Sequence, residues 1–135
     1  SKSKKAKKMA TDINAVAQAF VTHYYNLFDS GKEGIANLRM LYQDSSMLSF
    51  EGQNIQGSAN IIRHLSELRF TSVNHVVKSM DVQPSGVPGA LLVSVQGDLK
   101  VDGEANPIKF AQVWHLLPQG NSFWVYNDIF RLNYG

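Results

Sequence analysis

The side chains of this sequence with chemistry to offer are four histidines, eleven carboxylates and five tyrosines, and cysteine is absent. Without cysteine there are no disulfides, thiolate zinc sites or cysteine nucleophiles, and a reducing compartment is compatible. His23, His64, His75 and His115 fall on different segments and no pair has H-x-x-x-H spacing. No metal site is expected from them. Gly31 and Gly34 beside Lys32 do not form a phosphate loop, and no G-x-S-x-G elbow occurs. No cofactor is expected either. Three constellations remain. Phe50-Glu51 places an aromatic and a carboxylate at a strand end, where they can edge a cavity. The plainer reading is a core phenylalanine and a solvated glutamate. Asp102-Gly103-Glu104 reads as an ordinary acidic turn or, with Glu51, as acidic arms for a Lys or Arg of a partner. Tyr24-Tyr25 with His75 could offer hydroxyl donors to a cavity, although tyrosines on a helix are more often half-buried core residues.

The elements that must position these groups follow from periodicity. After Asp12, a good N-cap, Ile13, Val16, Ala17, Phe20, Val21, Tyr24, Leu27 and Phe28 recur at helical spacing. Ser30-Gly31 ends that helix. A second, shorter helix carries Ile35, Leu38, Leu41 and Tyr42 on one side, and Asp44-Ser45-Ser46 breaks it. Met47 to Phe50 is a short strand, and Gly52 and Gly57 bracket another around Ile55. Ser58 can cap a third helix from Ala59 to Leu68. From Thr71 the period becomes two: Val73, His75 and Val77 oppose Asn74, Val76, Lys78, Met80 and Val82. Turns at 84–89 and 118–121 flank two strands, Leu91–Val101 and Ile108–Leu117, which a connection from Asp102 to Pro107 joins, with Gly97 a bulge or bend.

The last strand, Phe123 to Tyr134, is the densest aromatic and apolar run. Strict alternation groups Phe123, Val125, Asn127, Ile129 and Arg131 against Trp124, Tyr126, Asp128, Phe130 and Leu132. Both groups are largely apolar, so both faces need cover, from the chain's helices on one side and helices or a second copy on the other. Helices first and antiparallel strands after argue α+β: three N-terminal helices on the concave face of a strongly bent, antiparallel or mixed sheet, enclosing a cone-like cavity.

The totals agree with one domain: 135 residues and 44% apolar content suffice for one core. No apolar run approaches the roughly 20 residues of a membrane helix. Residues 1–8 hold five lysines, and with those set aside the net charge of +2 becomes −3 for residues 9–135. The segment 1–8 reads as a disordered, solvated basic tail or an appended remnant, with a nucleic-acid contact or nuclear address as the other reading.

Several segments together resemble the nuclear transport factor 2 family: His23-Tyr24-Tyr25-Asn26-Leu27-Phe28-Asp29, Met47 to Gln53, Ile55-Gln56-Gly57, Gly97-Asp98-Leu99 and Asn127 to Tyr134. The resemblance implies a homodimer joined through its sheets and a non-enzymatic carrier. It further implies binding to the GDP form of the GTPase Ran and to phenylalanine-glycine repeats of pore proteins, with Ran returned to the nucleus. The expected locations are cytoplasm, nucleus and nuclear envelope; no membrane or nucleic-acid partner is expected. In the family an aromatic of Ran enters the cavity while its basic residues meet acids on the rim. By position, Phe50, Leu68, Val73, Ile129 and Phe130 line or border the cavity or the dimer sheet. Glu51 and Asp102 are rim acids with His75 nearby, and Glu104 is a second acid beyond a connection lengthened by Ala105-Asn106. Ile13 falls where the family has a large apolar residue for phenylalanine repeats. The chain departs from the pattern with about three extra residues around Leu38–Tyr42, roughly one helical turn. Phe50 also stands for a tryptophan, and Arg69 for a proline at the cavity mouth.

Two other functions share the cone. A ketosteroid-isomerase or dehydratase type enzyme would use Glu51 as base and Tyr24 as oxyanion donor, with Asp98 or Asp128 as second acid. A dimerisation module of an RNA export factor would use the fold for assembly alone.

Overall fold

The computed structural model describes the backbone of residues 2–134 and the side chains of residues 12–134. Helix α1 runs Lys2–Phe28. It therefore begins well before the expected start at Asp12 and takes in residues 2–8 of the expected tail. The physical reason is that neither glycine nor proline interrupts Lys2 to Phe28, and Lys, Ala and Met are good helix formers. The helix ends where expected, and Gly31 follows with φ of 89°. Helix α2 is short, Lys32–Asn37, and passes into a 3₁₀ turn, Leu38–Leu41. Ile35 and Leu38 are buried as expected, but Tyr42 opens a strand instead of closing the helix.

That strand, β1, runs Tyr42–Phe50, so Asp44-Ser45-Ser46 lies within it. The expected break survives as an irregularity in pairing between Tyr42 and Met47. Buried Ser46 secures it by accepting from the Gln43 N–H and donating to the Val125 carbonyl. Strand β2, Gln53–Gln56, pairs antiparallel with β1. Helix α3 is Ser58–Ser66; Gly57, not Ser58, occupies its N-cap with φ of 91° and no side-chain cap. Strands β3 (Val73–Pro84), β4 (Leu91–Val101), β5 (Ile108–Gln119) and β6 (Ser122–Asn133) complete the sheet. Its order is β2-β1-β6-β5-β4-β3. Only β1 and β6 pair in parallel, which makes the sheet mixed.

Two bulges reset the alternation read from sequence. In β3, Val77 pairs Gly97 but Ser79 pairs Gln96, leaving Lys78 as the extra residue. Met80 and Val82 thereby join Val77 against the core, not the Asn74 face. Gly97 is required there: a Cβ would lie 2.1 Å from the Val76 carbonyl oxygen. In β6, Leu116 pairs Val125 while His115 pairs Asn127, so Tyr126 is extra. Val125 faces the core before the bulge and Asp128 and Phe130 after it, with Phe123 and Leu132 packed alongside. The strict two-set division of this strand is corrected accordingly: Asp128 and Phe130 share the core face with Val125, and Ile129 faces outward, 49% exposed. The helices cover the inner face, and Trp114, Tyr24, Leu48 and Ile61 sit at the centre of the core. The sheet curls around them as the cone that was expected.

Candidate functional site

The inner face is not filled along its whole length. Past Trp114 the space between α1, α3 and the open end of the sheet is a cavity of about 230 Å³. Two aromatic pairs build much of its wall: Phe50 stacks on Phe130 with centroids 4.9 Å apart, and Phe28 on Phe70 at 6.1 Å. Phe50 also meets His64 edge-on at 5.1 Å. Leu68, Val73 and His75 line the same space. Five residues named from sequence, Phe50, Leu68, Val73, His75 and Phe130, thus come together around one cavity. Ile129 is not among them, because it lies one residue from Phe130 on the opposite face.

Glu51 and Asp102 adjoin the cavity without lining it. Each follows a lining residue, Phe50 or Val101, at a strand end. Among the described residues they are the two non-glycine positions with positive φ, 50° and 51°. This left-handed conformation is unfavourable for a side-chain-bearing residue, less so for aspartate. Local hydrogen bonds hold it. Glu51 Oε1 accepts from the Leu132 N–H, and the Glu51 N–H donates to the Phe130 carbonyl at 3.0 Å. Asp102 Oδ1 accepts from the N–H groups of Ser72 and Thr71 at 2.8 and 2.6 Å. Those bonds, Ser72's first, keep the Asp102 carboxyl below the usual carboxylate range. Both carboxylates remain exposed. Glu104 is exposed as well, in the 102–107 connection, with its N–H on the Val101 carbonyl at 3.0 Å.

His75 is fixed from several sides. Asp29 accepts its backbone N–H at 2.9 Å and faces its Nδ1 at 2.7 Å, so Nδ1 carries the hydrogen. Tyr25 stacks on its ring at 4.2 Å, and its side chain is 3% exposed. Sequence reasoning misses Asp29, which sits one residue past a helix end, where nothing in the periodicity marks it.

A polar cluster underlies the cavity floor. Asp128 is buried and accepts from Tyr42 Oη at 2.7 Å, Gln112 Nε2 at 2.8 Å and, at longer range, Tyr24 Oη at 3.4 Å. The two phenols are 2.7 Å apart, and Tyr25 Oη donates to Gln112 Oε1 at 2.7 Å. Burial raises the Asp128 carboxyl to about 6; the donated hydrogen bonds oppose that rise. The Trp114 indole N–H adds favourable electrostatics there without forming a hydrogen bond by geometry. Burial, then the Asp128 charge, holds the Tyr24 and Tyr42 phenols well above their ordinary range, and burial chiefly does so for Tyr25. Sequence reasoning misses Gln112 as well, although its place between Phe110 and Trp114 on the inward period of β5 is a signal that it faces the core.

The geometry departs from the enzyme alternative at Glu51 and Asp98, while Asp128, its other candidate acid, does accept from Tyr24. Tyr24 is committed to Tyr42 and Asp128, Asp98 lies on the outer face opposite Lys109, and Glu51 is engaged with the Leu132 N–H away from the lining. Ile13 is half-buried against the core on α1. Among the described residues no group of three or more His, Asp or Glu could hold a metal. No described helix is long and apolar enough to cross a membrane.

The sequence profile of the Nuclear transport factor 2 domain matches residues 16–132. Nuclear transport factor 2 of Candida glabrata is 48% identical over 126 residues, covering 93% of this chain and 98% of the relative. Nuclear transport factor 2B of Arabidopsis thaliana is 50% identical over 125 residues, covering 91% and 96%. The solved structure of nuclear transport factor 2 from Cryptosporidium parvum superposes with a TM-score of 0.82 at 38% identity, over 90% of this chain and 94% of that one. These relatives bear the name of a transport carrier and not of an enzyme, and they are matched over nearly their whole length. The aromatic cavity and its flanking acids therefore belong to a member of the nuclear transport factor 2 family.

Proposed function

We propose that this nuclear transport carrier binds Ran in its GDP form through the cone cavity and brings it into the nucleus. The observation that carries the reading is the aromatic cavity of about 230 Å³ with Glu51 and Asp102 beside it. Such a space takes one large apolar side chain, and flanking carboxylates take the cations next to it. Phe50, Leu68, Val73 and Phe130 form the wall, with His75 fixed by Asp29, and Glu104 extends the acidic flank. Ile13 contributes to contact with phenylalanine-glycine repeats, which localises the protein to the pore as well as to cytoplasm and nucleus. The protein works as a homodimer joined through the outer face of the sheet. Exposed Ile129 and Leu92, together with Val113 and Met47, supply its apolar seam. The partner copy is then the second cover that the last strand needs.

The test is a pull-down with nucleotide-loaded Ran. Retention of the GDP form alone is expected; equal retention of both forms, or of neither, overturns the proposal.

A further inference from the structure

We propose that the cone cavity is also a site for a free small molecule, a single aromatic ring carrying a short carboxylate arm, with Arg69 as its anion-binding residue. Size comes first. An apolar cavity of about 150 Å³ is enough to hold benzene, and this one measures about 230 Å³. Room is left for one ring and a few further atoms, short of the several hundred Å³ of drug-sized sites. The wall is suited to a ring, since the Phe50–Phe130 and Phe28–Phe70 pairs both border the space.

Charge then selects the substituent. Arg69 is the one lysine or arginine among the lining residues, and no carboxylate lines the cavity. Glu51 and Asp102 adjoin the cavity without lining it, so the charge that a short arm meets in the lining is that of Arg69. Among the described residues Arg69 makes no ion pair, and it is exposed. A guanidinium can hold a carboxylate through two parallel hydrogen bonds. A ring seated between the aromatic pairs with an arm towards the mouth meets that requirement. A neutral or cationic arm does not.

This site goes beyond the carrier reading but shares its cavity, so a bound ligand competes with an aromatic supplied by a protein partner. The experiment titrates the isotope-labelled full chain with hydrocinnamate, hydrocinnamyl alcohol and phenylpropylamine, following amide shifts near neutral pH. Shifts are expected at Phe50, Leu68, Val73 and Phe130. The acid should bind about two- to five-fold more tightly than the alcohol, as an exposed ion pair provides, and the amine most weakly. Arg69→Glu should reverse the order of acid and amine while the alcohol keeps its affinity, which also shows that the variant is folded. Equal affinities for the three probes, an order unchanged by Arg69→Glu, shifts confined to the outer face, or no saturable binding would each overturn the proposal. Ran binding by the unliganded protein is read separately, so failure of either reading leaves the other standing.

Discussion

Asp128→Asn isolates the energetic role of the buried polar cluster. In the folded protein the Asp128 carboxyl is raised to about 6, against an unfolded value of about 3.9. A group raised on folding contributes stability that is fully present below the unfolded value and lost as pH rises through the folded one. A rise of that size corresponds to roughly 3 kcal/mol across the whole window. Between about pH 5 and pH 7 the part lost is about 1 kcal/mol, because some of the protonation advantage is already gone at pH 5. Asparagine preserves the shape, can accept from Gln112 Nε2 and can donate to the Tyr42 oxygen, but it does not titrate. Urea unfolding followed by Trp114 and Trp124 fluorescence at both pH values gives the comparison. The wild type should lose about 1 kcal/mol more than Asp128→Asn between pH 5 and pH 7. Every other ionisable group is common to the two proteins, so the difference between them is the readout. An identical pH dependence for wild type and variant would refute the assignment of a buried Asp128 whose carboxyl is raised on folding.

Other expectations are more direct. Ile129→Glu places a charge in the proposed seam and should give monomers by sedimentation; a surviving dimer would locate the pairing surface elsewhere. Gly97→Ala puts a Cβ against the Val76 carbonyl at 2.1 Å. It should cost about 1–3 kcal/mol in denaturant unfolding, and a neutral outcome would contradict the close approach at the β3 bulge. Glu51→Lys should weaken Ran-GDP binding by roughly 2–5 kcal/mol, the range for a desolvated charge partner. Unchanged affinity would remove Glu51 from the interface.

The helical stripe from Ile13 to Phe28 and the long period-two strands were legible, because burial on one face imposes a period that sequence displays. The α+β order and the cavity followed from them. Part of the cavity wall was also readable: Phe50 and Phe130 lie in matched segments, Leu68, Val73 and His75 were carried over by position, and all five line one space. What alternation could not reveal were the extra residues Lys78 and Tyr126, since a bulge inverts facing without leaving a mark in composition. Arg69 was placed at the cavity mouth by the resemblance and does line the cavity, whereas Phe70 escaped because it lies between α3 and β3, where no period applies. The Asp128 cluster draws on α1, β1, β5 and β6, and sequence spacing says nothing about such convergence.

The central claim is that the cavity and its flanking acids select one nucleotide state of Ran. Calorimetric titration of the full chain with Ran-GDP and with Ran-GTP tests it most directly. Saturable binding of the GDP form, with none detectable for the GTP form, is predicted. Indistinguishable heats for the two forms, or no binding of the GDP form, would contradict it.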